Sequence, residues 1–166
     1  STIFLARAYL ADVAYRQGHY EEARKWIESL VDLADSVRAE LFLGNLQANT
    51  LYADGLLQES IDATLPLISQ AAQNNEIELK GNLLMNTGSG YTAVGDTKQA
   101  IHYLNEAITV YQSQKLRIRE AQARLNLGNA LFLKSPNSPD TLSEYEQATA
   151  IFKQFQVSTS PKLRQT

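Results

Sequence analysis

The chain has 166 residues, enough for a single domain with a substantial hydrophobic core. Its net charge of −3 argues against nucleic acid or an anionic membrane surface as a partner, and no apolar run approaches the ~20 residues of a membrane span. The absence of cysteine excludes disulfides and thiolate metal sites, and with no visible signal sequence we expect a cytoplasmic protein.

Apolar and small residues recur at helical spacing along the chain, which predicts an all-α protein. Eight helices are predicted, over residues 2–17, 20–35, 37–54, 56–73, 76–94, 97–113, 116–134 and 140–156. Asp96 and Asp140 are the predicted N-caps of the sixth and eighth helices, since a carboxylate accepts the free amides of a first helical turn. Pro66 is expected to kink the fourth helix because it removes a backbone hydrogen bond. Residues 157–166 are predicted to be a disordered tail.

Three of the predicted turns share one pattern, a glycine with a small residue five positions later. The pairs are Gly18 with Ala23, Gly55 with Ser60, and Gly95 with Ala100, and the glycines are 37 and 40 residues apart. Small residues also follow this spacing on the first helix of each pair, at Ala11, Ala48, Gly88 and Gly128. Small residues at matched positions let the two helices of a hairpin cross closely. An internal period of this size predicts a solenoid of stacked helical hairpins.

The clearest copy of the unit spans residues 81–114. It resembles the tetratricopeptide repeat, and the matching residues are Thr87-Gly88, Tyr91, Gly95-Asp96, Ala100-Ile101, Leu104 and Ala107-Ile108. Further copies lie near residues 4–37, 41–74 and 121–155, the last with Ser135–Asp140 in place of the turn glycine. The resemblance implies a right-handed α-solenoid of about four helix-turn-helix repeats in one domain, residues 1–156, of the long-period type found in kinesin light chain and bacterial tandem arrays.

Catalytic chemistry finds little support in the sequence. His19 and His102 fall in different repeats, without an acidic neighbour at a spacing that indicates a proton relay or a metal site, and are predicted to be solvated. Gly88-Ser89-Gly90 lies inside a helical pattern with no strand before it, which favours helix packing over a nucleophile or phosphate loop. Residues 117–120 are predicted to form a solvated helix face. We therefore expect no enzyme and no cofactor.

Amide side chains are the polar residues that stand out. Together with Ser89 they recur at shared repeat positions on the first helices, at Asn45, Asn49, Asn82, Asn86, Asn126 and Asn129. In tetratricopeptide arrays the first helices line the concave groove, so the resemblance places these side chains there. A row of amides can hold the backbone of an extended peptide without reading its sequence. The alternative is that the asparagines bond to one another across stacked helices and stabilise the solenoid, and the two roles are compatible.

Large side chains one turn later are expected to border this row, at Tyr15, Tyr52 and Phe132. Aromatic rings anchor partners well, although the same rings can instead pack between helices. Asp12 and Leu46 occupy places where arrays that clamp a terminal carboxylate offer amide or basic side chains. That specificity is therefore not expected here.

The leading functional hypothesis is a protein-interaction scaffold that binds an extended peptide segment in its concave groove. One alternative is a peptide-sensing module of a larger signalling or transcription regulator, and another is a structural self-association module. An apolar stripe runs along the last predicted helix at Tyr145, Ala148, Phe152 and Phe155. No predicted helix follows Gln156 to cover it, so we expect a piece of a longer protein, with homodimerisation of the isolated chain through this helix.

Overall fold

The computed structural model describes the backbone of residues 1–159 and the side chains of residues 1–156, and this part of the chain consists of helices and turns. Eight α-helices follow one another: Thr2–Arg16 (α1), Tyr20–Glu28 (α2), Val37–Ala53 (α3), Leu57–Gln73 (α4), Ile77–Val94 (α5), Thr97–Ser113 (α6), Arg117–Lys134 (α7) and Pro139–Thr159 (α8). A short 3-10 helix, Val31–Leu33, lies between α2 and α3. The predicted all-α fold is confirmed for the described residues.

The helices pair into four hairpins, which stack in chain order as units one to four. Each helix packs on the next one in sequence, and the first helices of neighbouring units also touch, α1 with α3, α3 with α5 and α5 with α7. Contacts confined to neighbours in this way define a solenoid.

The turns inside the first three units are built alike. Gly18, Gly55 and Gly95 have φ angles of +78°, +78° and +84°, in the left-handed region where glycine has no Cβ penalty. The residue after each glycine donates its backbone N–H to the carbonyl five positions back, as His19 does to Ala14 at 2.9 Å. This hydrogen bond closes the end of the first helix, and the predicted glycine turns are confirmed.

Small residues on the first helices receive large side chains from the second helices. A Cβ added at Gly88 would lie 2.6 Å from Leu104 of α6, and one added at Gly128 would lie 2.5 Å from the Tyr145 ring of α8. Gly90 is on the opposite face of α5, and a Cβ added there would lie 2.7 Å from Ile61 of α4. The Gly88-Ser89-Gly90 string is therefore a packing element that lets α5 approach both of its neighbours.

Helix α2 is much shorter than predicted and ends at Glu28 rather than at residue 35. The Ser29 hydroxyl donates to the Trp26 carbonyl at 2.7 Å, and the Ser29 carbonyl accepts from Arg7 of α1 at 3.0 Å. Both hydrogen bonds use groups near the helix end in ways that compete with continued helix. Leu30 is then buried between α1 and α3, and the chain reaches α3 through the 3-10 helix.

Helix α8 differs from the prediction at both ends. It begins at Pro139, and the Ser138 hydroxyl accepts from the Asp140 N–H at 3.3 Å, so Ser138 has the capping role predicted for Asp140. The helix continues to Thr159, three residues into the predicted tail, and residues 160–166 lie outside the described residues. Asp96 caps α6 as predicted, since it accepts from the Gln99 N–H at 3.1 Å.

The apolar stripe of α8 is largely covered by α7, so the prediction that nothing in the chain covers it is wrong. Ala148 is fully buried, Phe152 packs beside it, and Tyr145 rests on Gly128. Phe155 remains 39% exposed. The stripe therefore marks the contact within unit four rather than an open face.

Helix α4 runs through Pro66 without interruption. Among the helices described, none combines the length and the apolar character needed to cross a membrane.

Candidate functional site

A cleft of about 530 Å³ runs across the first helices of all four units. Eight of the ten residues predicted for the groove line it, namely Tyr15, Asn45, Asn49, Tyr52, Asn82, Asn86, Ser89 and Asn126. They come from α1, α3, α5 and α7, because stacking of the units brings matched positions of successive first helices side by side.

Asn129 and Phe132 lie outside the cleft, contrary to the prediction. Asn129 Oδ1 accepts a hydrogen bond from the Tyr145 hydroxyl at 2.8 Å, which ties α7 to α8. Phe132 lies one turn further along α7 and is 49% exposed. Asn129 is therefore bonded to the second helix of its own unit, and Phe132 faces solvent outside the cleft.

The amides in the middle of the cleft are hydrogen-bonded to one another. The Asn86 amide of α5 donates to α3, to Asn45 Oδ1 at 2.8 Å and to Asn49 Oδ1 at 3.0 Å. The Asn126 amide of α7 donates to Ser89 Oγ of α5 at 3.0 Å. These five residues, which we call the amide ladder, connect units two, three and four. The hydrogen bonds across stacked helices that the alternative role requires are therefore present.

The amide ladder also keeps hydrogen-bonding capacity for a ligand. An asparagine has two N–H donors and a carbonyl oxygen with two acceptor sites. Within residues 1–156, Asn86 Oδ1 accepts no hydrogen bond, and the amide nitrogens of Asn45 and Asn49 donate none. Every fully buried side-chain polar atom described has a partner, so these free atoms are within reach of solvent or of a ligand.

Asn82 is oriented from inside the fold by Tyr111. The Tyr111 hydroxyl donates to Asn82 Oδ1 at 2.8 Å, which leaves the Asn82 N–H donors for the cleft. The Tyr111 ring is fully buried against Gly81, where an added Cβ would lie 2.8 Å from it. Burial raises the pKa of Tyr111, and the positive charge of Arg119 offsets part of this effect.

The amide pattern did not predict the apolar floor and the charges of the cleft. The additional lining residues are Asp12, Arg16, Phe42, Leu46, Ser60, Met85, Arg119 and Gln122. The repeat spacing was the available signal for two of them, since Phe42 and Gln122 lie 40 residues before and after Asn82. Asp12 and Leu46, which depart from the pattern of a terminal-carboxylate clamp, both line the cleft.

Glu120, in the stretch predicted to be solvated, is buried. It forms ion pairs with Arg117 and, at 3.1 Å, with Arg124, and it accepts from the Gln112 amide of α6 at 3.0 Å. Arg124 also pairs with Glu144 of α8 at 2.8 Å. Desolvation lowers the pKa of Arg124, but hydrogen bonds to Glu144 and Glu120 outweigh it, so the pKa is raised. This network around the buried Glu120 joins α6, α7 and α8.

The two histidines are exposed, as predicted, but each has an acidic neighbour that the prediction overlooked. His102 Nε2 lies 3.1 Å from Glu106 Oε1 one turn later, and His19 Nδ1 lies 3.8 Å from Glu22 Oε2. Exposed pairs of this kind contribute little to stability. In the part of the chain that the structure describes, no group of three or more His, Asp or Glu side chains is placed to hold a metal ion.

Comparison with known proteins finds similarity among solved structures. No family model and no curated protein matches the sequence. Among solved structures, the chain is similar to the nearly identical TPR-like repeats of a Podosopora anserina protein described as a kinesin light chain. The two share 15% identity and a TM-score of 0.39, over 93% of this chain and 96% of the other.

The units of the chain share glycine turns, close helix crossings and stacked first helices. The chain has a tetratricopeptide-type fold. Within this tetratricopeptide-type solenoid the cleft follows the first helices, the side on which the sequence resemblance placed the groove.

Proposed function

We propose that this protein is a protein-interaction scaffold that binds an extended peptide segment of a partner in the cleft. The observation that carries the proposal is the amide ladder, which lines the cleft across three successive units. An extended peptide presents one N–H and one C=O per residue, proline excepted, and amide side chains satisfy both kinds of group.

The size and the lining of the cleft support a peptide ligand. Its volume of about 530 Å³ falls within the ~300–1,000 Å³ of small-ligand sites. Phe42, Leu46 and Met85 supply apolar surface, and Tyr15 and Tyr52 supply aromatic rings. Such rings give large contact areas at a small cost in conformational entropy, so they suit the anchoring of a side chain.

The pair Asn86→Ala and Asn126→Ala tests the proposal. Affinity for peptides selected from a random library, measured by fluorescence anisotropy, is expected to fall by roughly 1–3 kcal/mol because hydrogen bonds to the peptide backbone are lost. Asn129→Ala is the matched control, since it removes an amide of α7 that is bonded to Tyr145 outside the cleft. Unchanged affinity in the pair variant, or an equal loss in the control, contradicts the proposal.

A peptide-sensing module of a larger signalling or transcription regulator is the second candidate. It is favoured by the double hydrogen bond of Asn86, because the amide that faces the cleft also holds α5 to α3. A peptide that competes for Asn45 or Asn49 changes the contact between units two and three, and so favours one curvature over another. A changed radius of gyration on peptide binding, measured by small-angle X-ray scattering, supports sensing, and an unchanged one supports the scaffold.

Self-association is the third candidate, and the favourable surface is on α1 rather than α8. Ile3, Leu5, Tyr9 and Leu10 are exposed on α1, whereas the α8 stripe packs on α7. Sedimentation of the wild type against Leu10→Glu tests this surface. For all three candidates we propose a non-enzymatic, cytoplasmic protein that acts on protein partners without cofactor, nucleic acid or membrane.

A further inference from the structure

Arg119 differs from the other arginines that the structure describes. Residues 1–156 contain seven arginines, and five of them form ion pairs with carboxylates: Arg16, Arg24, Arg38, Arg117 and Arg124. Arg7 donates to the Ser29 backbone carbonyl at 3.0 Å. Among the described residues Arg119 has no carboxylate partner, and its guanidinium donates one long hydrogen bond, of 3.3 Å, to Gln122 Oε1.

The charge of Arg119 is unbalanced within the cleft. The lining contains three charged residues, Asp12, Arg16 and Arg119. Asp12 and Arg16 pair with each other at 2.9 Å at the α1 end. The α7 end of the cleft is therefore positive in a chain whose net charge is −3. A half-buried guanidinium in a cleft exerts a stronger field than one in open water.

The surroundings of Arg119 suit a carboxylate. Gln122 and Asn126 follow it on the same face of α7, three and seven positions later, and both line the cleft. Asn82 of α5 presents N–H donors, because its oxygen is occupied by Tyr111. A planar guanidinium can donate two parallel hydrogen bonds to a carboxylate, and the amides add further donors.

We propose that the cleft selects peptide segments with an acidic side chain, Asp or Glu, whose carboxylate binds Arg119. This inference rests on the proposed function. The apolar floor formed by Phe42 and Leu46 on α3 takes an apolar side chain of the same segment.

Neighbouring first helices pack ~8–10 Å apart, so α3 and α7 are roughly 16–20 Å apart. An extended chain covers that span in about five or six residues, at ~3.3 Å per residue. The recognised segment therefore has an apolar and an acidic residue about five or six positions apart.

The test is a selection from random nine-residue peptides with acetylated and amidated ends, so that the only carboxylates are those of side chains. The targets are the wild type, Arg119→Gln, Arg119→Glu and a matched control, Arg38→Gln. Arg38 lies in the first turn of α3, as Arg119 lies in the first turn of α7, but its side chain is 69% exposed and lies outside the cleft. Circular dichroism establishes that each target is folded.

The wild type and Arg38→Gln are expected to enrich peptides with Asp or Glu at the stated distance from an apolar residue. Replacing Glu by Gln in an enriched peptide is expected to weaken its binding roughly tenfold, less at high salt, and to have little effect with Arg119→Gln. Arg119→Glu is expected to enrich Lys or Arg at that position, a gain that misfolding cannot produce.

Each other outcome has one meaning. Peptides enriched equally by all four targets, without acidic residues, overturn the acidic-peptide inference and leave the proposed function standing. No enrichment with any target overturns both. The Gln peptide can also be made with a free C-terminal carboxylate. If this restores its binding to the wild type, the ligand of Arg119 is not specifically an acidic side chain and the inference is overturned.

Discussion

Tyr111 shows how one side chain serves both the core and the cleft. Its ring occupies the space that the absent side chain of Gly81 leaves open, and its hydroxyl holds the oxygen of Asn82. A buried hydroxyl needs such a partner, because an unsatisfied one costs about 1–3 kcal/mol. The orientation of a cleft residue is thereby fixed from the interior.

The raised pKa of Tyr111 predicts a pH dependence of stability. Burial disfavours the phenolate, so the pKa in the folded state lies above the unfolded value of about 10. The contribution of Tyr111 to stability is therefore complete below pH ~10 and is lost as the pH rises toward the folded-state pKa. Urea unfolding from pH 8 to 11 is expected to show a decline above pH 10 that is smaller in Tyr111→Phe. Tyr9→Phe, at an exposed ring, is the control, and a decline of equal size in Tyr111→Phe contradicts the assignment.

Glu120 shows what single-residue reasoning can miss. Its spacing from Arg117 and Arg124, three and four positions, is readable from the sequence and is typical of exposed helical ion pairs. Its burial depends on Gln112 of α6 and on Glu144 of α8, which pairs with the same Arg124. Those partners come together only when three helices have packed, so no local pattern distinguishes this carboxylate from a solvated one.

At the scale of the element, the position of α5 is determined by close contacts on two of its faces. Gly88 admits Leu104 from one side and Gly90 admits Ile61 from the other. Glycine is unfavourable inside a helix by about 1 kcal/mol relative to alanine, so these positions are explained by packing and not by helix propensity.

Gly88→Ala is expected to destabilise the protein despite the gain in helix propensity. The added Cβ would lie 2.6 Å from Leu104 Cγ and 3.3 Å from the Ala100 carbonyl oxygen, so α5 and α6 must move apart. Overpacking of this kind costs about 1–3 kcal/mol, which outweighs the ~1 kcal/mol gained. Chemical denaturation gives the free energy of unfolding. Ala150→Gly, at an exposed position of α8, calibrates the propensity difference, and a more stable Gly88→Ala would show that the contact is loose.

Helix bounds and turns were predictable where the turn chemistry is local. The glycine turns follow from residues that prefer a left-handed backbone, and the bounds of α3 to α7 lie within one residue of the prediction. The end of α2 was missed because the tertiary hydrogen bond from Arg7 to Ser29 helps to end the helix. The first two turn glycines are 37 residues apart and the next two are 40 apart, so the sequence already showed that the stretch containing α2 is three residues shorter. Eight lining residues of the cleft were predictable because the repeats stack in register, so residues at the same repeat position lie side by side. Asn129 was wrongly predicted to line the cleft, because its hydrogen-bond partner, Tyr145, lies on α8.

At the scale of the whole molecule, the units are not equally secured. Helix α2 has 9 residues, whereas α4 and α6 have 17 each. Unit four, the other end of the described solenoid, is held to unit three by the network around the buried Glu120. In a solenoid the stability of each unit depends on its own packing and on its neighbours. We therefore expect unit one to be the least stable part of the array.

Hydrogen exchange is expected to follow this order. Backbone amides of α1 and α2 should exchange faster than those of α5 and α6, whose buried cluster includes Leu84, Leu104 and Tyr111. Exchange followed by mass spectrometry at neutral pH measures the difference, with the α7–α8 peptides as the terminal control. Equal protection of units one and three would show that the short α2 does not weaken the array.

Because α2 is short, the two ends of the cleft are expected to differ in rigidity. Tyr15 lies on α1, which packs on the shortest α-helix described, α2. Arg119 lies on α7, which is tied to α6 and α8 through Glu120 and Arg124. The α1 side can therefore yield to side chains of different bulk, while the guanidinium keeps its place. Partners of this protein are then expected to vary in shape at one end of the bound segment and to agree in charge at the other.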